Sequence, residues 1–217
     1  MAHDIREFFK SLIIAILAAG FISNFIIAVA YIPSGSMEST MMTGDRVIGS
    51  RLGFSGNGIK HGDVAIFLHG YTCKECGKQY QKENGKCPYC GASDSHNKKI
   101  YFTKRIIGLP GDTIDIVPTD IYSSDSLVMG TKYTDPQFYR ALVMVNGKAL
   151  DEKYISEPMI CDNLEYPSIH VKVPDGCYYA LGDNRNNSDD SRFWQDPFIK
   201  ETDMVAKVLF CFYPFKD

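Results

Sequence analysis

Three short motifs hold residues that can do nucleophilic chemistry. Pro33-Ser34-Gly35-Ser36-Met37 places a serine in a glycine-containing turn, where its hydroxyl stands clear of the backbone and a substrate chain can approach closely. Ile100-Tyr101-Phe102-Thr103-Lys104-Arg105-Ile106-Ile107 places a lysine inside an apolar strand pattern. A lysine there either snorkels to water or is buried, and burial lowers its pKa until a free amine is available to take a serine's proton. Strand alternation puts Lys104 and Arg105 on opposite faces, so one can enter a site while the other meets solvent or a carboxylate. Gly182-Asp183-Asn184-Arg185-Asn186-Asn187-Ser188-Asp189-Asp190-Ser191-Arg192 is a polar loop after a tyrosine-rich strand. Read for chemistry, its Ser188 orients the lysine and an Asp190–Arg192 ion pair braces the loop; read plainly, it is a solvated run of Asx turns.

A second chemistry lies in the cysteines. Of seven, four form Cys73-x2-Cys76-x10-Cys87-x2-Cys90, each pair followed by a glycine, Gly77 or Gly91. Two such knuckles set four thiolates around one ion, and four protein ligands leave no open position, which points to a structural metal. Zinc is the expected ion and iron the alternative. Two disulfides are the competing reading, because an exported location favours oxidation. Cys161, Cys177 and Cys211 read as small buried residues.

These residues need a frame to hold them. The chain has 217 residues, 45% apolar and 23% charged, ordinary for one folded domain with attachments. Net charge is −3 with no long basic run, which argues against a nucleic-acid partner. Ser11 to Ile32 carries no charge, and as a helix it would span about 33 Å, enough to cross a bilayer. Arg6 and Lys10 before it favour a cytoplasmic N-terminus (residues 1–10) and an exported body. Ala28-Val29-Ala30 also fits the end of a cleaved signal peptide, but the apolar run is longer than that reading needs. Beyond it, strand patterns recur between turns: Asp45–Ser50, Asp63–His69, Ile100–Ile107, Thr113–Val117, Leu142–Val145 before the hairpin signal Asn146-Gly147, His170–Val173, Tyr178–Leu181 and Met204–Phe212. No sustained helical period follows the anchor, so the body reads as mainly β. Tyr71–Asn97 and Pro118–Tyr139 read as insertions.

Taken together and in this order, the three motifs resemble those of bacterial type I signal peptidases: Ser-Gly-Ser-Met, then Lys-Arg-x-x-Gly-x-Pro-Gly-Asp, then Gly-Asp-Asn-Arg-x-x-Ser-x-Asp-Ser-Arg. The resemblance covers about Ile32 to Asp112 and Val171 to Pro214, plus the anchor. It implies a signal-peptidase-type β fold with one N-terminal transmembrane helix (11–32). The catalytic β domain would fall in two parts, 33–113 and 170–217, around a cap at 114–169, with the cysteine module (71–97) inserted. It implies a serine endopeptidase that removes signal peptides from exported preproteins through an acyl-enzyme. Ser36 would be nucleophile and Lys104 general base. Ser188 would hold the amine, and Ser34 with the Ser36 N–H would form the oxyanion hole. Asp183, Arg185, Asp190 and Arg192 would be support, and Ile32, Pro33, Met37, Phe102 and Thr103 would line pockets for small side chains. The cysteine module is not part of the usual pattern, and Ser39 stands where the family usually has proline. A His-based triad finds no motif among His3, His61, His69, His96 and His170, and there is no Gly-x-Ser-x-Gly elbow. The rival of another class is a membrane-tethered zinc-ribbon binding protein with an inactive β domain, which leaves Ser36, Lys104 and Ser188 unexplained.

Overall fold

The computed structural model describes residues 2–52, 58–82, 85–121, 127–128, 131–132, 139–161 and 169–212. Helix α1 (Ala2–Phe21) is followed by one wide π-turn, Ile22–Ile26, and then by strand β1 (Ile27–Tyr31). The apolar run is therefore not helical to Ile32, as 11–32 would require: the last five apolar residues before Ile32 pair along their length with β2. The cause is local. Ser23 Oγ and Asn24 Nδ2 both donate to the Gly20 carbonyl, at 3.1 and 2.8 Å, satisfying a backbone oxygen the α-helix releases. Beyond them, Ile-Ala-Val-Ala-Tyr alternates, with Ala28 buried and Val29 exposed, a period that suits a strand. Ile5–Ile26 remains long and apolar enough to cross a membrane.

The other strands are β2 (Arg46–Ser50), β3 (Val64–Thr72), β4 (Gln79–Gln81), β5 (Lys98–Gly108), β6 (Thr113–Ile121), β7 (Leu127–Val128), β8 (Thr131–Lys132), β9 (Tyr139–Val145), β10 (Lys148–Ala149), β11 (Met159–Cys161), β12 (Ile169–Lys172), β13 (Cys177–Leu181), β14 (Ile199–Lys200) and β15 (Met204–Phe212). The fold is mainly β, as the alternating patterns predict. The main sheet runs β1-β2-β15-β3-β5-β13-β14, with β4 paired on β3. A five-stranded sheet runs β10-β9-β6-β12, with β11 on β9, and β7 and β8 form a ribbon. The expected hairpin is present: Asn146 and Gly147 both have positive φ, and β10 folds back on β9. Most of Pro118–Tyr139, and Tyr213 and Pro214 after β15, lie outside the described residues.

Strand β3 fixes where the site sits, because both of its faces are covered. Val64 and Ile66 pack with Ala28, Ile32, Met37, Val47 and Ala206, whereas Ala65 and Phe67 pack with Ile59, Ile106, Tyr178 and Ala180. A third cluster joins the two sheets through Ile107, Tyr179 and Leu181 on one side and Ile114, Ile116 and Val143 on the other. The core thus encloses β5 along Ile106–Gly108, and Lys104 lies just before that enclosed stretch.

After the serine turn, the chain takes an unusual path. Ser39 has φ +87°, and its hydroxyl donates to the Tyr154 carbonyl at 2.5 Å. Proline, locked near −65°, cannot adopt this backbone, so the serine at this position accompanies a different local path. Ser39→Pro is expected to cost well over about 1 kcal/mol of stability, while Ser39→Gly stays within about that amount of the parent. Thermal denaturation of the two variants checks the order.

Candidate active site and cysteine cluster

Ser36 lies in a single 3-10 turn, Gly35–Met37, between β1 and β2. Buried Met37 anchors the turn in the core, and Asn184 N–H donates to the Ser36 carbonyl at 3.1 Å. Ser34 Oγ is 3.5 Å from Ser36 Oγ. Lys104 reaches the same groove from β5. Its residue is 3% exposed, and its Nζ donates to Ser188 Oγ at 2.9 Å. The Phe102 ring, two residues earlier on the same strand, lies 5.5 Å from Nζ. Burial drives the Lys104 pKa down to about 8, against the opposing pull of Asp190 and Asp189.

The loop after β13 is held by charge. Burial alone would raise the Asp190 carboxyl, but Arg192 overrides it and holds it below the usual carboxylate range. Arg192 Nε and Nη2 donate to Asp190 at 2.7 and 2.9 Å, and the Gly182 N–H donates to Asp190 at 2.9 Å. Arg185, fully buried, forks onto Glu152 at 2.8 and 2.5 Å. Asp183 receives Arg105 at 2.7 and 2.5 Å and the Thr40 hydroxyl at 2.5 Å. The structure thus brings Ser34, Ser36, Lys104, Ser188, Asp183, Arg185, Asp190 and Arg192 into one neighbourhood. Ile32, Pro33, Met37, Phe102 and Thr103 line one groove of about 510 Å³ with Ser36 and Lys104.

Sequence reasoning missed several residues here. Arg105, read as meeting solvent or a carboxylate, meets the carboxylate of Asp183, a partner no motif named. Glu152 comes from between the sheets, with no motif to mark it. His69 stacks flat on Phe102, with ring centroids 4.2 Å apart, and leans on Trp194 at 4.5 Å. Burial lowers its pKa to about 4, so it is neutral at physiological pH. Asn187 and Asp189 also line the groove.

The chain matches the family described as signal peptidase, peptidase S26, over residues 5–213. It belongs to that family. It is similar to a probable signal peptidase I-2 of Synechocystis sp., at 31% identity over 96% of this chain and 73% of that protein. A signal peptidase IB of Staphylococcus aureus is 28% identical over 100% of this chain and 94% of its own length. Among solved structures, a signal peptidase I from Enterococcus faecalis V583 matches at 24% identity and TM-score 0.35, over 70% of this chain and 97% of that one. The activity of this peptidase is the removal of signal peptides, which implies preprotein substrates. Its N-terminal apolar helix is consistent with a single-pass membrane anchor.

In the peptidase the four motif cysteines converge, and all their sulfurs lie within 4.8 Å of one another. Cys73 and Cys90 are 3.5 Å apart, and Cys76 and Cys87 3.7 Å. Four sulfurs at about 2.3 Å from a tetrahedral ion stand about 3.8 Å apart, whereas a disulfide brings two to about 2.05 Å. The cluster therefore fits a metal ion. The two knuckles are alike: Gly77 N–H donates to the Cys73 carbonyl at 2.9 Å and Gly91 N–H to the Cys87 carbonyl at 2.8 Å. Both glycines have positive φ, as the tight turns require.

Gly182 shows how closely the site is assembled. A Cβ there would stand 2.2 Å from Ser188 Oγ and 2.5 Å from the Ser36 carbonyl oxygen. Gly182→Ala is expected to force the serine turn and the Ser188 loop apart, lowering kcat/KM by about a hundredfold or more. Peptide cleavage by the purified variant, with circular dichroism to show that the fold remains, checks this.

Proposed function

We propose that Ser36 is the nucleophile and Lys104 the general base, and that the peptidase cleaves preproteins through an acyl-enzyme. The observation that carries this reading is the buried Lys104 amine, hydrogen-bonded to Ser188 in the groove that Ser36 lines. Lys104 takes the Ser36 hydroxyl proton as the oxygen attacks the scissile carbonyl. The Ser34 hydroxyl and the Ser36 N–H receive the developing oxyanion, where fixed donors have the largest effect. The ammonium then protonates the leaving amine, and the freed lysine activates the water that hydrolyses the ester. Ile32, Pro33, Met37, Phe102 and Thr103 shape the pockets before the cut. Asp183, Arg185, Asp190 and Arg192 keep the loop that carries Ser188 in register.

In this reading the N-terminus is cytoplasmic and α1 crosses the bilayer with the β body outside, which holds the enzyme beside membrane-bound preproteins. Cys73, Cys76, Cys87 and Cys90 bind one structural zinc, with iron the alternative ion. The metal would tie the two knuckles together and takes no part in catalysis. Bound to four thiolates, it supplies only cross-linking.

The sign of the pH dependence follows from burial. Protonated Lys104 cannot accept the Ser36 proton, so kcat/KM on a peptide substrate is expected to be full above about pH 8 and lost as pH falls through that value. Ser36→Ala and Lys104→Ala should each lower kcat by about a thousandfold or more, with the double variant scarcely worse, because the two act as a unit. Retained cleavage by Lys104→Ala contradicts the reading.

For the cysteine module, elemental analysis of the purified protein is expected to find one metal ion per chain, with Cys87→Ser lowering the content. Metal-free protein with two disulfides by mass spectrometry would overturn the metal site.

A further inference from the structure

Three neighbouring aspartates surround Lys104, and they are not equivalent. Asp183 is neutralised by Arg105 and Asp190 by Arg192, both in buried ion pairs. Asp189 is exposed, and among the described residues no salt bridge engages it. Only Asp189 and Lys104, of the residues lining the groove, carry an acidic or a basic side chain; the others are apolar, hydroxyl, amide or glycine. In the form that can act as base Lys104 is neutral, so the working groove holds a single negative charge. The apolar walls from Ile32, Ile66, Ile100 and Phe102 focus its field along the cleft.

We propose that Asp189 is a specificity-determining residue that favours substrates with a lysine or arginine just after the cleaved bond and disfavours acidic residues there. This rests on the Ser36/Lys104 reading, which also supplies the direction. The amine that protonates the leaving group must face it. Lys104 Nζ is held by Ser188, and the next residue, Asp189, lines the same groove as Lys104 and Ser36; in this proposal its carboxylate borders the path of the departing chain. The stretches Ala30–Gly35 and Ile100–Thr103 have no charged side chain and leave the acyl side of the groove uncharged.

Asp189 also bears on the base itself. Its negative charge favours the Lys104 ammonium, as do Asp190 and Asp183, while Arg192 opposes it and His69, beside both, is neutral above about pH 4. Removing the Asp189 charge therefore moves the acid limb of kcat/KM to lower pH, a change that a merely structural residue would not produce in this direction.

The test uses three peptides identical except at the first residue after the cut: lysine, glutamine or glutamate. The full-length enzyme in detergent at low ionic strength is expected to cleave the lysine peptide about tenfold better than the glutamate peptide. That ratio should shrink as salt is added. It should fall toward parity in Asp189→Asn, whose acid limb also moves down, and return in Asp189→Glu. An unchanged ratio in Asp189→Asn overturns the proposal. Should that variant cleave none of the peptides, the wild-type salt series decides: a ratio near one, or one insensitive to salt, overturns it equally. Cleavage of the glutamine peptide by Lys104→Ala would instead sink the catalytic reading, whatever the ratios.

Discussion

The arrangement depends on one costly placement, an amine taken out of water. Lys104 sits on a strand whose next residues are enclosed in the core, and water reaches little of it. Desolvation disfavours the ammonium more than Asp190, Asp189 and Asp183 favour it, so the group stays well below its ordinary value of 10.5. The same shift weakens the fold. Between about pH 8 and 10.5 the unfolded chain binds more protons than the folded one, so stability rises with pH across that window and the cost is complete below it. An amine that loses its proton near pH 8 and a cost in fold stability are one physical fact.

Much of the remaining architecture can be understood as support for that placement. Phe102, His69 and Trp194 form an aromatic wall beside the amine. The Lys82 N–H donates to the His69 carbonyl at 2.9 Å, just after β4, so the cysteine module is joined to this wall through the backbone. Gln81 exchanges two hydrogen bonds with the Asp196 backbone, which fixes the module against the segment carrying Trp194. On the other side Arg105, the residue after Lys104, grips Asp183, so strand and loop are tied within one residue of Lys104. Buried ion pairs of this kind are weak sources of stability, but removing one partner leaves a costly orphan, so they hold geometry.

The parts legible in the sequence were those with local causes. Strand alternation gave the main strands, Asn146-Gly147 gave its hairpin, and the doubled Cys-x-x-Cys-Gly spacing gave the sulfur cluster. The end of the helix was hidden because Ser23 and Asn24 look like minor polar breaks until their bonds to Gly20 are seen. β1 was hidden because an apolar run reads alike as helix or buried strand. The partners of His69, Glu152 and Arg105 were hidden for a different reason. They lie 33, 33 and 78 positions away, at Phe102, Arg185 and Asp183, and long-range pairing leaves no local trace. Asp189 was in plain view within the loop, but the proposed role depends on its neighbours being paired while, among the described residues, no salt bridge engages it.

The most direct measurement is the titration of the Lys104 side chain itself. In Ser36→Ala protein carrying ¹³C-labelled lysine, with Lys104→Arg to assign the signal, the Lys104 ε-carbon shift can be followed by NMR against pH. The account predicts a midpoint near 8, well apart from the other lysines. A Lys104 signal that titrates with the bulk of the lysines, near 10.4, would show that the amine is charged at working pH and contradict the account.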